Sequence, residues 1–264
     1  MTVTPLDALV RGPVSATGTV VLHGAGGSPE LNVPFLDDLA RSRRVVAPYY
    51  PGSGPSPRTS GPLQLDDLAD RAVAAADVAG LERFDLLGYS LGSAIAVRVA
   101  ARHADRVARM VLTAGIAHAS TSLRLVCGVW IMLLGSGDPQ TLGRFLAWAS
   151  SSERAWDHRA GDPEEIALAI AAAAPAGSAE QADLVRRVDV RADLSGVRAP
   201  TLVVVPRHDR LVDLAHSAQL ATGIPGARVI EIDGGHDVAG EAANAWRTAV
   251  AEHFGLTGGG HACA

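Results

Sequence analysis

The chain has 264 residues, 48% of them hydrophobic and 19% charged, with a formal net charge of −5. That length holds one large α/β domain or two small ones around a sizeable core. The negative balance offers no attraction to nucleic acid or to an anionic membrane, so neither is an expected partner.

Short β-branched runs alternate with longer Ala/Leu segments, the pattern of a parallel sheet flanked by helices. The opening "MTVTPLDALVRG" lacks a basic segment followed by an apolar core, and a cytoplasmic location is expected. Strands are then predicted at "TVVLHG" (19–24) and "RRVVAP" (43–48), with the basic cluster "RSRRVV" (41–46) read as a solvated approach. "LQLDDLADRAVAAADVAG" has apolar positions at helical spacing and stops on Gly80. Next come a strand at "FDLLGYS" (84–90), a mostly buried helix over 91–103 and a strand at "RMVLTAG" (109–115). No convincing strand follows until "PTLVVVP" (200–206) and "RVIEID" (228–233). All six strands are continuous apolar runs, as strands covered on both faces must be.

The interval from about 118 to 190 holds Trp130, Trp148 and Trp156, three of the four tryptophans, and reads as a helical insertion over the sheet. The expected organisation is a core of 1–117 and 191–255, a helical cap of 118–190 and a flexible tail of 256–264 carrying His261 and Cys263. Within the insertion, "LRLVCGVWIMLLG" (123–135) is too short to span a bilayer. Cys127 and Cys263, the two cysteines, imply no disulfide framework. No histidine or cysteine pair has metal-ligand spacing, so no metal is expected. The Ala-, Arg- and Val-rich usage goes with GC-rich bacterial genomes, and the composition is silent on oligomeric state.

The chemistry gathers around "LLGYSLGSAIA" (86–96). Ser90 sits where a predicted strand gives way to a helix, between Gly88 and Gly92. Such a turn strains the serine backbone, and its small neighbours let the chain pass close to adjacent segments. It lifts the hydroxyl to the carboxyl end of the sheet, near the N–H groups that open a helix. A serine hydroxyl needs a base, and the base needs an orienting acid. "IDGGHDV" places His236 just after the last predicted strand, and "VVVPRHDRLVD" places Asp209 just after the one before. Both sit at carboxyl ends of strands, where sites of open α/β sheets collect. Asp233 ends a strand, Asp237 adjoins the histidine, and Asp213 stands at a helix start where capping is the expected job. "HGAGGSPE" has Gly24, Gly26 and Gly27 but Pro29 at the third fingerprint position, so no nucleotide or other cofactor is expected.

On "VVLHGAGG", "APYYPGSGPS", "GYSLGS", "APTLVVVPRHDRLVD" and "IDGGHDV", the chain resembles the α/β-hydrolase fold family, specifically its compact esterase-like members with a helical cap. The resemblance implies an α/β fold with a mostly parallel, doubly wound sheet. It implies Ser90 as nucleophile, His236 as base and Asp209 as acid, with the backbone N–H groups of Ala25 and Leu91 as the oxyanion hole. Two positions depart from the family: Tyr49 stands where an acidic residue is usual, and Gly92-Ser93 where two glycines are common. Tyr49, Trp130, Phe145 and Trp148 are the candidates for a substrate pocket. The implied activity is serine hydrolysis of a small-molecule ester, lactone or thioester through an acyl-enzyme. The same triad also serves perhydrolases, carbon–carbon bond hydrolases and aminopeptidases acting on N-terminal proline, the last needing carboxylates such as Glu153, Asp157, Glu164 or Glu165. A receptor-like protein that binds without turnover is the reading from a different class.

Overall fold

All six apolar runs fold as strands, and a seventh strand joins them at one edge. The structure, a computed structural model, describes residues 3–14 and 17–256. The expected tail therefore falls almost wholly outside the described residues, as do His261 and Cys263. The strands are β1 (Ala8–Arg11), β2 (Gly18–Leu22), β3 (Arg44–Pro48), β4 (Phe84–Tyr89), β5 (Val107–Thr113), β6 (Thr201–Pro206) and β7 (Arg228–Ile232). They lie in the order β1-β3-β2-β4-β5-β6-β7, with β1 antiparallel to β3 and every other pair parallel.

Parallel neighbours need crossovers, and here helices cover both faces. Successive residues of β4 serve opposite cores: Leu86 packs with Leu91 and Ile95, and Leu87 with Trp246 and Phe254. Both faces being covered, the strand reads as an apolar run without alternation, broken only by Asp85. The short β1 shows no such run because it is a partly exposed edge strand of four residues.

One expectation is corrected at the start of β3. Arg43 is not solvated: it is buried, with Nη1 2.9 Å from Asp85 Oδ2 and Nη2 donating to the Phe254 carbonyl at 2.6 Å. Asp85 lies fully buried within β4, and a carboxylate there needs a charged partner.

Between β5 and β6 the chain makes five α-helices, Thr121–Ser136, Pro139–Ser150, Glu153–His158, Pro163–Ala172 and Ser178–Val185. Four of them begin on a side-chain cap, from Ser120, Asp138, Ser152 and Asp162, and two of those have proline in the first turn. This punctuation produces the long strandless interval. Among the described residues, no helix is long and apolar enough to cross a membrane.

Candidate active site

Ser90 follows β4 directly and precedes the helix Leu91–Arg102 with φ 54° and ψ −118°. Such a conformation costs a non-glycine residue about 1–3 kcal/mol, which the surrounding contacts must offset. The crossing at Gly92 is tight: a β-carbon there would stand 2.0 Å from the Leu22 carbonyl oxygen. At Gly88 it would stand 2.6 Å from the Gly92 carbonyl oxygen. A serine before a helix ordinarily turns its hydroxyl onto a first-turn N–H. Ser90 makes no such cap. Its Oγ faces His236 Nε2 at 3.0 Å instead.

His236 enters from the loop after β7 and Asp209 from the loop after β6. His236 Nδ1 lies 2.8 Å from Asp209 Oδ2, and all three side chains are buried. Asp209 Oδ1 accepts the Leu211 and Val212 N–H groups at 2.9 and 2.8 Å, so the loop holds the carboxylate from behind. A carboxylate accepts only, so the Nδ1 proton belongs on the imidazole and Nε2 is left to accept from the serine. The other acids are occupied elsewhere. Asp213 accepts the Ala215 N–H at 2.8 Å, as expected of a cap. Asp233 holds His208 and Arg154, and Asp237 accepts the Gly240 N–H.

The histidine loop is braced on both sides. The Tyr89 hydroxyl donates to the His236 carbonyl at 2.6 Å, and burial together with nearby carboxylates raises its pKa well above the ordinary value. Glu241 accepts the Gly235 N–H at 2.8 Å together with the N–H and hydroxyl of Ser152 from the inserted helices.

The loop after β2 passes over Ser90. A β-carbon at Gly24 would lie 3.2 Å from that of Ser90. The Gly24 N–H donates to Asn32 Oδ1 at 3.0 Å, and the Gly26 N–H to Gln181 Oε1 at 2.8 Å. Between them the Ala25 N–H has no acceptor among the described residues, and the same holds for Leu91 at the start of its helix. Gly26 has φ 67° and sits against Trp130, whose Cζ2 would be 2.4 Å from any β-carbon there.

Behind the loop, His23 is fully buried and stacked on Tyr50 at 3.9 Å between ring centroids. Nδ1–H donates to the Gly24 carbonyl at 2.8 Å, and Nε2 accepts the Tyr50 N–H at 3.2 Å. Burial outweighs the Gly24 hydrogen bond and pulls the His23 pKa down to about 4. The unfolded chain binds a proton on this ring below pH 6.5, whereas the folded chain refuses it until about pH 4. Folding stability is therefore lost as pH falls through that window, by up to about 3 kcal/mol from this group. His216 and His253, also lowered by burial, add to the loss with the same sign. In urea unfolding between pH 4.5 and 7, His23→Asn is expected to flatten the slope relative to the parent. Parallel curves would remove His23 as a cause.

A cavity of about 250 Å³ opens above Ser90. Its walls include Ile116, Leu123, Trp130, Phe145, Val185 and Val212, and among the described residues no arginine or lysine lines it. Two pocket expectations are corrected. Tyr49 is absent from the lining; its ring packs on Gly54 and its hydroxyl donates to Glu30. Trp148 is 59% exposed and turns outward, because its neighbours on the helix, Phe145 and Ala149, take the inner face. Glu153, Asp157, Glu164 and Glu165 are likewise absent from the lining. Asn32, Gln181 and Glu241 were not singled out in the sequence. Each holds loop N–H groups, and that role leaves no motif.

The family model described as the alpha/beta hydrolase fold matches residues 20–159. A pyrrolizixenacetamide deacetylase of Xenorhabdus hominickii is 30% identical over 223 residues, 83% of this chain and 84% of its own. A pimeloyl-[acyl-carrier protein] methyl ester esterase of Aromatoleum aromaticum is 30% identical over 233 residues, 81% of this chain and 88% of its own. Among solved structures, the enol-lactonase of Burkholderia xenovorans LB400 superposes with a TM-score of 0.83 at 23% identity, covering 94% of this chain and 96% of that one.

Proposed function

This chain belongs to the alpha/beta hydrolase fold family, and we propose that it is a serine hydrolase cleaving esters, lactones or thioesters of small, uncharged acyl groups. The observation that carries the reading is the continuous hydrogen-bonded series Ser90–His236–Asp209 at the floor of an apolar cavity.

The Ser90 hydroxyl attacks the acyl carbonyl while His236 Nε2 takes its proton, and Asp209 steadies the imidazolium through Nδ1. The carbonyl oxygen becomes an oxyanion, held by the Ala25 and Leu91 N–H groups. His236 then protonates the departing alcohol or thiol. Water, deprotonated by the same imidazole, releases the acid from the acyl-enzyme and returns the serine. The inserted helices form the cap that keeps bulk water from this sequence of steps.

Two features support the substrate class. A site that recognises a carboxylate uses a cationic partner, and none lines the cavity. The volume lies below the roughly 300–1,000 Å³ usual for drug-sized ligands, which suits a short acyl chain. An aminopeptidase reading is not favoured, since the cap carboxylates Glu153, Asp157, Glu164 and Glu165 are absent from the lining and the one carboxylate there, Asp237, is engaged with the Gly240 N–H and Arg159. The two 30%-identical relatives, a deacetylase and a methyl ester esterase by name, agree with acyl-group hydrolysis.

The test is a graded series of p-nitrophenyl esters from acetate to decanoate, with a succinyl monoester as the charged comparison. Short neutral esters are expected to turn over fastest, and quenched samples to carry the acyl mass on the peptide containing Ser90. Phe145→Ala is expected to move the optimum to longer chains, while the outward-facing Trp148→Ala leaves it in place. Absence of turnover and of any acyl adduct across the series would overturn the reading.

A further inference from the structure

Gln181 belongs to the cap helix Ser178–Val185, 155 residues away from Gly26 in the chain, yet it is fully buried against the core. Its carboxamide is used at both ends. Oε1 accepts the Gly26 N–H at 2.8 Å, while Nε2 donates to the Pro51 carbonyl at 3.2 Å and to Ser53 Oγ at 2.9 Å. Ser53 Oγ in turn donates to the Gly27 carbonyl at 2.8 Å. The partners fix the amide's orientation, because a flipped group would set its NH₂ against the Gly26 N–H. The helix can come this close because Gly177 meets Gly52 backbone to backbone, with the Gly177 N–H donating to the Gly52 carbonyl at 3.1 Å.

The peptide that carries the Ala25 N–H lies between two pinned ones. Asn32 holds the Gly24 N–H on one side, and Gln181 holds the Gly26 N–H on the other. A glycine with φ 67° has no side chain to restrict its rotation, so the loop needs external anchors to keep one geometry. We infer that Gln181 is a positioning residue: it aims the Ala25 N–H at the developing oxyanion and makes that donor depend on a seated cap. The inference rests on the hydrolase reading above, in which Ala25 stabilises the tetrahedral intermediate.

Gln181 touches neither substrate nor reacting atoms, so its loss is felt only where the oxyanion forms. Losing an oxyanion donor outright costs about 10²–10³-fold in kcat, and misaiming one costs less. Gln181→Met, apolar and of similar length, is expected to lower kcat for a short p-nitrophenyl ester about 10- to 100-fold with KM changed less than threefold.

Butylboronic acid supplies the second readout. Its boron accepts the Ser90 oxygen lone pair as the hydroxyl proton passes to His236, giving a tetrahedral anion with one oxygen toward the Ala25 N–H. Its affinity should fall by the same factor as kcat/KM, whereas inhibition by planar butyramide should be nearly unchanged. Ser53→Ala, which removes one link of the ring and leaves the Gln181–Gly26 bond, is expected to show the same pattern at about three- to tenfold. It also serves if Gln181→Met fails to fold.

Equal loss of boronate and butyramide binding, alongside a lowered melting temperature, would reduce Gln181 to a structural residue and overturn the inference. So would a folded Gln181→Met enzyme with unaltered kcat. Failure of the underlying hydrolase reading is recognised separately, by a parent protein that neither turns over the ester nor reacts with a fluorophosphonate.

Discussion

Ser90→Ala is expected to leave a folded protein whose ester turnover is reduced about 10⁵–10⁶-fold, because the three side chains act as one unit. The substitution keeps the β-carbon, so the strain of φ 54° is the same for alanine as for serine. Among the described residues Oγ hydrogen-bonds only with His236 and caps no helix, so no backbone hydrogen bond is lost with it. Unchanged melting alongside lost activity is the expected pair of results. A fluorophosphonate should label the parent at Ser90 and spare Ser93. Ser93 is fully buried; its hydroxyl donates to the Ser90 carbonyl at 2.6 Å and accepts the Ile116 N–H at 2.9 Å. It is therefore a tie beneath the turn rather than a second nucleophile. Substantial turnover in a folded Ser90→Ala protein would remove Ser90 from the mechanism.

The contrast between Ser90 and Gln181 shows what a sequence of this kind makes legible. Ser90 could be found because a strand buried on both faces reads as an apolar run. Where "FDLLGY" ends and a small-residue helix begins, the turn has one place to be. Asp209 could be found because it follows such a run, whereas His236 follows β7, whose β-branched residues read as a strand although it lies largely exposed at the sheet edge. The edge strand β1 could not, since a half-exposed strand of four residues lacks the run. Arg43 was misread for a related reason: its burial is set by Asp85, a charge inside β4 that local context gives no reason to pair with it. Trp148 and Tyr49 were misassigned because aromatic character says a residue packs, not against what. Gln181, Asn32 and Glu241 bond to loop N–H groups 155, 8 and 6 residues away, and a backbone partner, near or far, leaves no trace in composition or periodicity. The residues proposed to carry the chemistry are thus announced by the strands that present them. Those that hold the loops in shape emerge only once the chain is folded.

The proposed acid offers the sharpest separation between geometry and charge. Asp209→Asn preserves size and can still accept the Leu211 and Val212 N–H groups through its remaining oxygen, so the loop keeps its shape. That choice places the new NH₂ where Oδ2 faces His236 Nδ1. A donor there requires an acceptor, so the imidazole moves its proton to Nε2. Nε2 then points a hydrogen at Ser90 Oγ and is unable to take one from it. The expected loss is about 10⁴-fold in kcat with little change in melting, the size seen when a serine protease triad is put in the wrong tautomer. Asp213→Asn, four residues on, keeps an acceptor for the Ala215 N–H and is expected to cost less than twofold in kcat. The two variants measured side by side decide the assignment. A mild Asp209→Asn beside a crippled Asp213→Asn would move the acid to Asp213. Full activity in both would leave His236 without an orienting carboxylate and break the series on which the proposed function rests.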